Sequence, residues 1–181
     1  MQDLAMYILE ILMNSIHAGS SFIKLLIEFC REKDLVTICV EDNGKGMNEE
    51  MVKKVVSPFT TTRTTRKVGL GVAFMKELCD ECEGKLTIES EVGKGTIVKA
   101  TYKMSHIDAP VLGDIGEMMM FAIQANETID YELVYKEDDS EFIFKTADIR
   151  EELGDVKLDD PSILLWIKDY INQEIKIRRE I

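Results

Sequence analysis

Leu4, Ile8, Ile11, Leu12 and Ser15 recur at helical spacing behind Asp3, which stands where a side chain can cap the first turn, so residues 3 to about 17 are predicted to be helical. Gly19-Ser20-Ser21 ends that helix, and the apolar runs at 22–29 and 35–41, turned near Arg31-Glu32-Lys33-Asp34, read as a strand hairpin. Asn48 caps a short helix running to about Val56 and closed by Pro58. The segment from Ser57 to Val68, with five threonines and three cations, has little to bury beyond Phe59 and is expected to be a surface loop. A further helix from Gly69 to about Glu83, with Gly84 as its C-cap, leads to strands at 85–90 and 96–102 joined by Val92-Gly93-Lys94-Gly95. Two helix, strand, strand blocks of this kind predict an α/β sandwich on a mixed, largely antiparallel sheet.

The pattern changes after about residue 105. Asp114 and Glu117 have capping-box spacing ahead of a helix through Met118-Met119-Met120 to Ala125, and the methionines are expected to fill core. Strands at about 130–136 and 141–146, turned at Glu137-Asp138-Asp139, precede a short helix near 147–153 that ends at Gly154. The last helix opens with Asp160 and Pro161 and carries Ile163, Leu164, Ile167, Ile171 and Ile175 on one stripe. Residues 1–105 and 106–181 are therefore read as two units, the second a small acidic α+β extension.

Charge sharpens that division. The 181 residues carry a formal charge of −12, of which residues 1–105 contribute −1 and residues 106–181 contribute −11. Such a balance argues against nucleic acid and against an anionic membrane surface, both of which call for a basic footprint. It suits docking of a basic protein partner, although a solvated acidic face is the simpler account. Self-association as a homodimer stays open. No apolar run approaches membrane-span length and the start has no leader-like pattern, so a cytoplasmic location is expected. Four cysteines, Cys30, Cys39, Cys79 and Cys82, should then be reduced. Cys79-x-x-Cys82 has metal-ligand spacing, but a helical setting favours buried free thiols, with one cysteine packing inward beside Leu78 and the other near the surface.

Three polar groupings carry chemistry. Glu10 and Asn14 lie one helical turn apart, so a carboxylate and an amide oxygen converge on one point, a donor pair suited to magnesium and a reacting water. Asp42-Asn43-Gly44-Lys45-Gly46-Met47 follows an apolar strand, where a part-buried carboxylate can accept from an exocyclic amine and the glycines let backbone approach a flat ring. Gly69-Leu70-Gly71 at a helix start offers free N–H groups to phosphate, with Arg63, Arg66 and Lys67 just before it.

In that order these blocks resemble the ATP-binding domain of the gyrase, heat-shock chaperone, histidine kinase and MutL (GHKL) superfamily, over residues 8–105. The run from Ile8 to Gly19 is similar to its N-box, and the ending Asn14-Ser15-Ile16-His17-Ala18-Gly19 is nearest the MutL type. Asp42-x-Gly44-x-Gly46 matches the adenine box and Pro58-Phe59-Thr60-Thr61-Thr62-Arg63 a histidine-kinase lid. Gly69-Leu70-Gly71-Val72 matches the second glycine box, and Gly84 with Gly93-x-Gly95-Thr96 the closing strands.

The resemblance implies a two-layer α/β sandwich of the Bergerat type that binds ATP and Mg2+. Asn14 would hold the metal, Glu10 would act as base or orient water, and Asp42 would receive the adenine amino group, directly and through water shared with Thr96. Gly44, Gly46 and Met47 would shape that end. Thr60, Thr61, Thr62, Arg63, Lys67 and Val68 would cover the phosphates, with Gly69, Leu70, Gly71 and Val72 beneath. Lys67 replaces the usual first glycine, and His17 stands where histidine kinases often carry lysine. Only seven residues precede Ile8, and neither His17 nor His106 lies in an acceptor-like sequence, so histidine self-phosphorylation is not expected. Two classes are left: slow ATP hydrolysis, as an ATPase or kinase, coupled to a protein partner, or an anti-sigma-like kinase or binding module whose nucleotide state sets partner affinity without significant turnover.

Overall fold

The computed structural model describes residues 3–57 and 70–180, and in chain order its elements are α1 (Leu4–His17), β1 (Phe22–Cys30), β2 (Leu35–Asp42), α2 (Glu49–Val55), α3 (Gly71–Glu81), β3 (Lys85–Glu91), β4 (Gly95–Lys103), α4 (Ile115–Ala125), β5 (Asp130–Glu137), β6 (Ser140–Lys145), α5 (Thr146–Leu153) and α6 (Pro161–Arg179). The caps expected from sequence form: Asp3 accepts from the Met6 N–H, Asn48 from Met51, Asp114 from Glu117 and Asp160 from Ser162. At Asp114 the box is half made, because the Glu117 carboxylate accepts from Lys168 Nζ at 2.8 Å instead of turning back to its own helix start.

The strands form one sheet in the order β3-β4-β2-β1-β5-β6. Among the described strands the one parallel pairing is β1 with β5; the other pairings are antiparallel. Alternation decides the faces, since Ile23, Leu25, Ile27 and Phe29 are buried while Lys24 and Glu28 point the other way, and the register aligns Ile23 with Asp42 and Tyr131. Helices α3, α1, α4 and α6 pack side by side over the apolar face, α3 above β3 and β4 and α6 above β5 and β6. A single apolar cluster runs from Leu4 and Ile8 through Val98 and Tyr102 to Ile167 and Ile171, and Met118 and Met119 lie inside it. The elements after residue 105, set apart by charge, are thus laid onto the same sheet and core. No helix among the described residues is long and apolar enough to cross a membrane.

Two local expectations are corrected. The left-handed residue after α3 is Glu83 (φ +55°), not Gly84; a Cβ on Gly84 would lie 1.9 Å from the Thr101 carbonyl oxygen, so that glycine serves a backbone crossing. Cys79 and Cys82 are both buried, because positions three apart share a helix face and α3 turns that face to the core. Burial pushes the Cys79 thiol up to about 12 and raises that of Cys82, so both stay protonated at neutral pH. No cluster of three or more metal-ligating side chains occurs among the described residues.

Candidate functional site

At one end of the sheet the helix-facing row changes from apolar to polar. Ile23 on β1 is followed across the register by Asp42 on β2, Thr96 on β4 and Ser90 on β3. Asp42 is 8% exposed, and both of its oxygens are held: Ser15 Oγ donates to Oδ2 at 2.6 Å and the Gly44 N–H donates to Oδ1 at 2.9 Å. A carboxylate oxygen has more than one lone-pair direction, so a further donor can still be received. The group is a fixed, buried acceptor poised for an N–H donor.

The turn after Asp42 is anchored from three sides. Lys45 N–H donates to the Ala18 carbonyl at the end of α1, Gly93 N–H donates to the Lys45 carbonyl, and Asn43 Oδ1 accepts from the Ser21 and Phe22 N–H groups. Gly46 has φ +67°, and a Cβ there would sit 1.9 Å from the Glu91 carbonyl oxygen; a Cβ on Gly95 would meet the Asp42 carbonyl oxygen at the same distance. Glycine is needed at both for backbone contact. Ser90 Oγ joins the parts: it accepts from the Met47 N–H at 2.8 Å, lies 2.8 Å from Thr96 Oγ1 and donates to the Gly95 carbonyl at 3.0 Å.

Glu10 and Asn14 are half-buried on α1, and Asn14 directly precedes Ser15, the Asp42 partner. The start of α3 closes on the same helix, because a Cβ on Gly71 would lie 2.5 Å from Glu10 Cβ and 3.1 Å from its Oε2. Leu70 occupies the N-cap position without a side-chain cap, and Val72 is buried behind it. Helix α1 therefore meets both the buried acid, through Ser15, and the α3 N-terminus, beside Glu10. Of the lid and glycine-box positions, Thr60, Thr61, Thr62, Arg63, Arg66, Lys67, Val68 and Gly69 lie outside the described residues.

A cleft of about 340 Å3 wraps over these strand ends beside Asp42, Ser90 and Thr96, with Glu41, Glu89 and Glu91 on its rim and Lys94 as its cation. In a larger hollow of about 410 Å3 between the start of α4 and the end of α6, Asn172 and Asp114 are committed to each other, since Asn172 donates to Asp114 and accepts from the Gly116 N–H. Ser90 is a site residue outside every motif, and Ser15, although part of the N-box run, has no role assigned by it. Ser15 could have been found as a hydroxyl on an apolar helix stripe; Ser90 had no comparable signal beyond the alternation that points it inward.

Helix layer, mixed sheet and strand-end acid together define an α/β ligand-binding domain whose site opens at one end of the sheet. Residues 2–106 match the model of the histidine kinase-, DNA gyrase B- and HSP90-like ATPases. The chain belongs to that family, and this part of it is a GHKL ATP-binding domain. It is 39% identical over 70 residues to sporulation kinase E of Bacillus subtilis, covering 39% of this chain and 9% of that protein. It is 30% identical over 116 residues to the non-motile and phage-resistance protein of Caulobacter vibrioides, covering 59% of this chain and 14% of that one. The match therefore spans only a small part of these relatives. Two solved structures share the fold at 16% identity: the N-terminal domain of a DNA repair protein (TM-score 0.53; 79% of this chain, 52% of that one) and the Aquifex aeolicus MutL ATPase domain complexed with ADP (TM-score 0.50; 84% and 68%).

Proposed function

We propose that the chain binds Mg-ATP with adenine at Asp42, hydrolyses it slowly and couples nucleotide state to a protein partner. The observation that carries this reading is the buried Asp42 carboxylate, fixed by Ser15 and Gly44 and opening on a cleft. With adenine at Asp42 the phosphates would lie toward the α3 N-terminus, where free N–H groups and the helix dipole favour them. The donors fit a hard cation there: Glu10 and Asn14 supply oxygens from one helix face, and the missing Cβ of Gly71 leaves the α3 backbone close to Glu10. Magnesium bound at Asn14 would neutralise phosphate charge. Glu10 would orient the attacking water and take its proton, while Lys67 and Arg63 would supply cations from the lid segment. Ser90 and Thr96 would hold the Met47 backbone against the ring.

Calorimetry with ATP and magnesium tests this directly. The wild type should bind, and Asp42→Asn should bind at least about tenfold more weakly, because the amide presents an N–H where the adenine amine needs an acceptor. A wild type that binds no adenine nucleotide would sink the proposal. The acid surplus after residue 105 favours a second reading, a nucleotide-dependent switch that docks a basic partner without significant turnover. Glu10→Ala separates the two: loss of turnover with partner control intact selects the switch, and loss of both selects the coupled enzyme.

A further inference from the structure

The two edges of the sheet are finished differently. β3 carries Lys85, Glu89 and Glu91 along a strand that α2 and α3 flank, the charged finish that keeps an edge from pairing. β6 is the opposite edge and reads Ser140-Glu141-Phe142-Ile143-Phe144-Lys145. Its two-residue turn, Asp138-Asp139, and the Glu137↔Ser140 register direct the backbone groups of Ser140, Phe142 and Phe144 toward β5, so those of Glu141, Ile143 and Lys145 point outward. Arg178 Nε fits this parity by donating to the Glu141 carbonyl at 2.9 Å from the outer side.

Beside that edge one exposed apolar side chain stands between two charges, Glu141 and Lys145, which lie 3.8 Å from Lys136 and Glu132 on β5. Ile143 is 49% exposed on the helix-free face, in register with buried Val134 and, through it, Leu26. On the other face α6 carries a second stripe besides the one it buries. Lys168 and Asn172 meet α4, while Trp166, Tyr170 and Ile177 project away from α4, toward the β6 side. Trp166 is 50% exposed and Ile177 48% exposed. Trp166 stacks on Tyr170 with centroids 5.1 Å apart, and Tyr170 meets Phe142 edge-on at 5.6 Å, so the exposed indole is held in place against the strand below it.

We propose that β6 and this stripe form a two-fold interface with a second copy of the chain, joining two sheets into one. The sequence of the strand is complementary to itself. In an antiparallel pairing centred on Ile143, Ile143 faces Ile143, each Glu141 faces a Lys145 of the other copy, and Phe142 faces Phe144. Opposite charges meet twice and the apolar row Leu26-Val134-Ile143 continues across the axis. The Glu141 carbonyl has a second lone pair for the incoming Lys145 N–H, so Arg178 need not leave. Nothing in this surface depends on nucleotide, and the interface forms whether or not the site near Asp42 is filled.

Light scattering on the full chain over a wide concentration range should give twice the chain mass of 20.6 kDa. Ile143→Lys, with unchanged circular dichroism, should weaken association by more than about tenfold, since each copy loses the contact at the axis. Cysteine cross-linking tests the register. Opposed Cα atoms in a hydrogen-bonded antiparallel pair lie about 5.5 Å apart, within disulfide reach. Ile143→Cys should therefore link to itself under oxidation; Glu141→Cys should not, but should link when mixed with Lys145→Cys. Wild type serves as baseline because Cys30 and Cys39 are partly exposed. The proposal is overturned by a wild type of single-chain mass throughout, by a dimer indifferent to Ile143→Lys, or by Glu141→Cys linking to itself as readily as Ile143→Cys.

Discussion

Around Asp42 the chain is held by backbone meeting backbone, whereas between α4 and α6 it is held mainly by side chains. Gly46 against Glu91 and Gly95 against Asp42 leave no space for a Cβ, so a single atom would move a turn or a strand. Between α4 and α6 the contacts are Lys168 with Glu117, Asn172 with Asp114 and an apolar stripe, and only Gly116 brings backbone close. A ligand site needs its acceptor placed within a fraction of an ångström, and backbone crossings set positions that rotamer changes cannot relax. A supporting layer needs volume and burial, which many side-chain combinations supply.

Substitutions can break that contrast. Gly46→Ala should have the largest effect, because the positive φ and the clash at the Glu91 carbonyl act together: a stability loss of about 3 kcal/mol or more, with ATP binding abolished. Ile167→Ala, at a fully buried α6 position, should cost a comparable 2–5 kcal/mol, roughly, yet leave the ATP affinity of the folded protein unchanged. Thermal unfolding paired with calorimetry reads both quantities. A loss of affinity in Ile167→Ala would mean that the two regions are not separable. Ser15→Ala removes one donor to the buried acid and should cost about 1–2 kcal/mol, with ATP binding weakened beyond what stability explains.

The smallest effect sharpens the comparison at a surface turn. Two hydrogen bonds from Ser105, from its hydroxyl and its N–H, hold the Asp34 carboxyl below the usual carboxylate range. A depressed folded pKa contributes stability above the unfolded pKa and loses it as pH falls through the folded one. The melting-temperature difference between wild type and Ser105→Ala should therefore be present at neutral pH and close on acidification through that range. A gap that persisted at low pH would assign the effect to packing.

Most elements were legible because their signals are local. Asp3, Asn48, Asp114 and Asp160 announce helix starts through their own carboxylate or amide oxygens, and alternation at 22–29 and 35–41 assigns faces before any pairing is known. The adenine end was legible because Asp42, Gly44 and Gly46 are close in sequence. What escaped depended on distant partners. That β5 lies beside β1 follows from a parallel register between Phe22–Phe29 and Asp130–Glu137, for which neither strand carries a code, and the change in charge at 105 hid their common core. The roles of Ser15 and Ser90 depend on where Asp42 and Met47 arrive in space. Glu83 in the left-handed region next to a glycine shows the same limit, since the crossing with Thr101 claims Gly84.

The β1–β5 pairing also has a consequence for synthesis. When β1, β2 and β4 have emerged from the ribosome they can already pair, but the other side of β1 waits for a strand more than a hundred positions later. Until then an apolar nine-residue strand offers an open row of backbone groups to any neighbouring nascent chain. Such a long-range closure is slow compared with hairpin formation. A chain cut after residue 105 would carry every polar group around Asp42 and would still be left permanently at this half-closed stage.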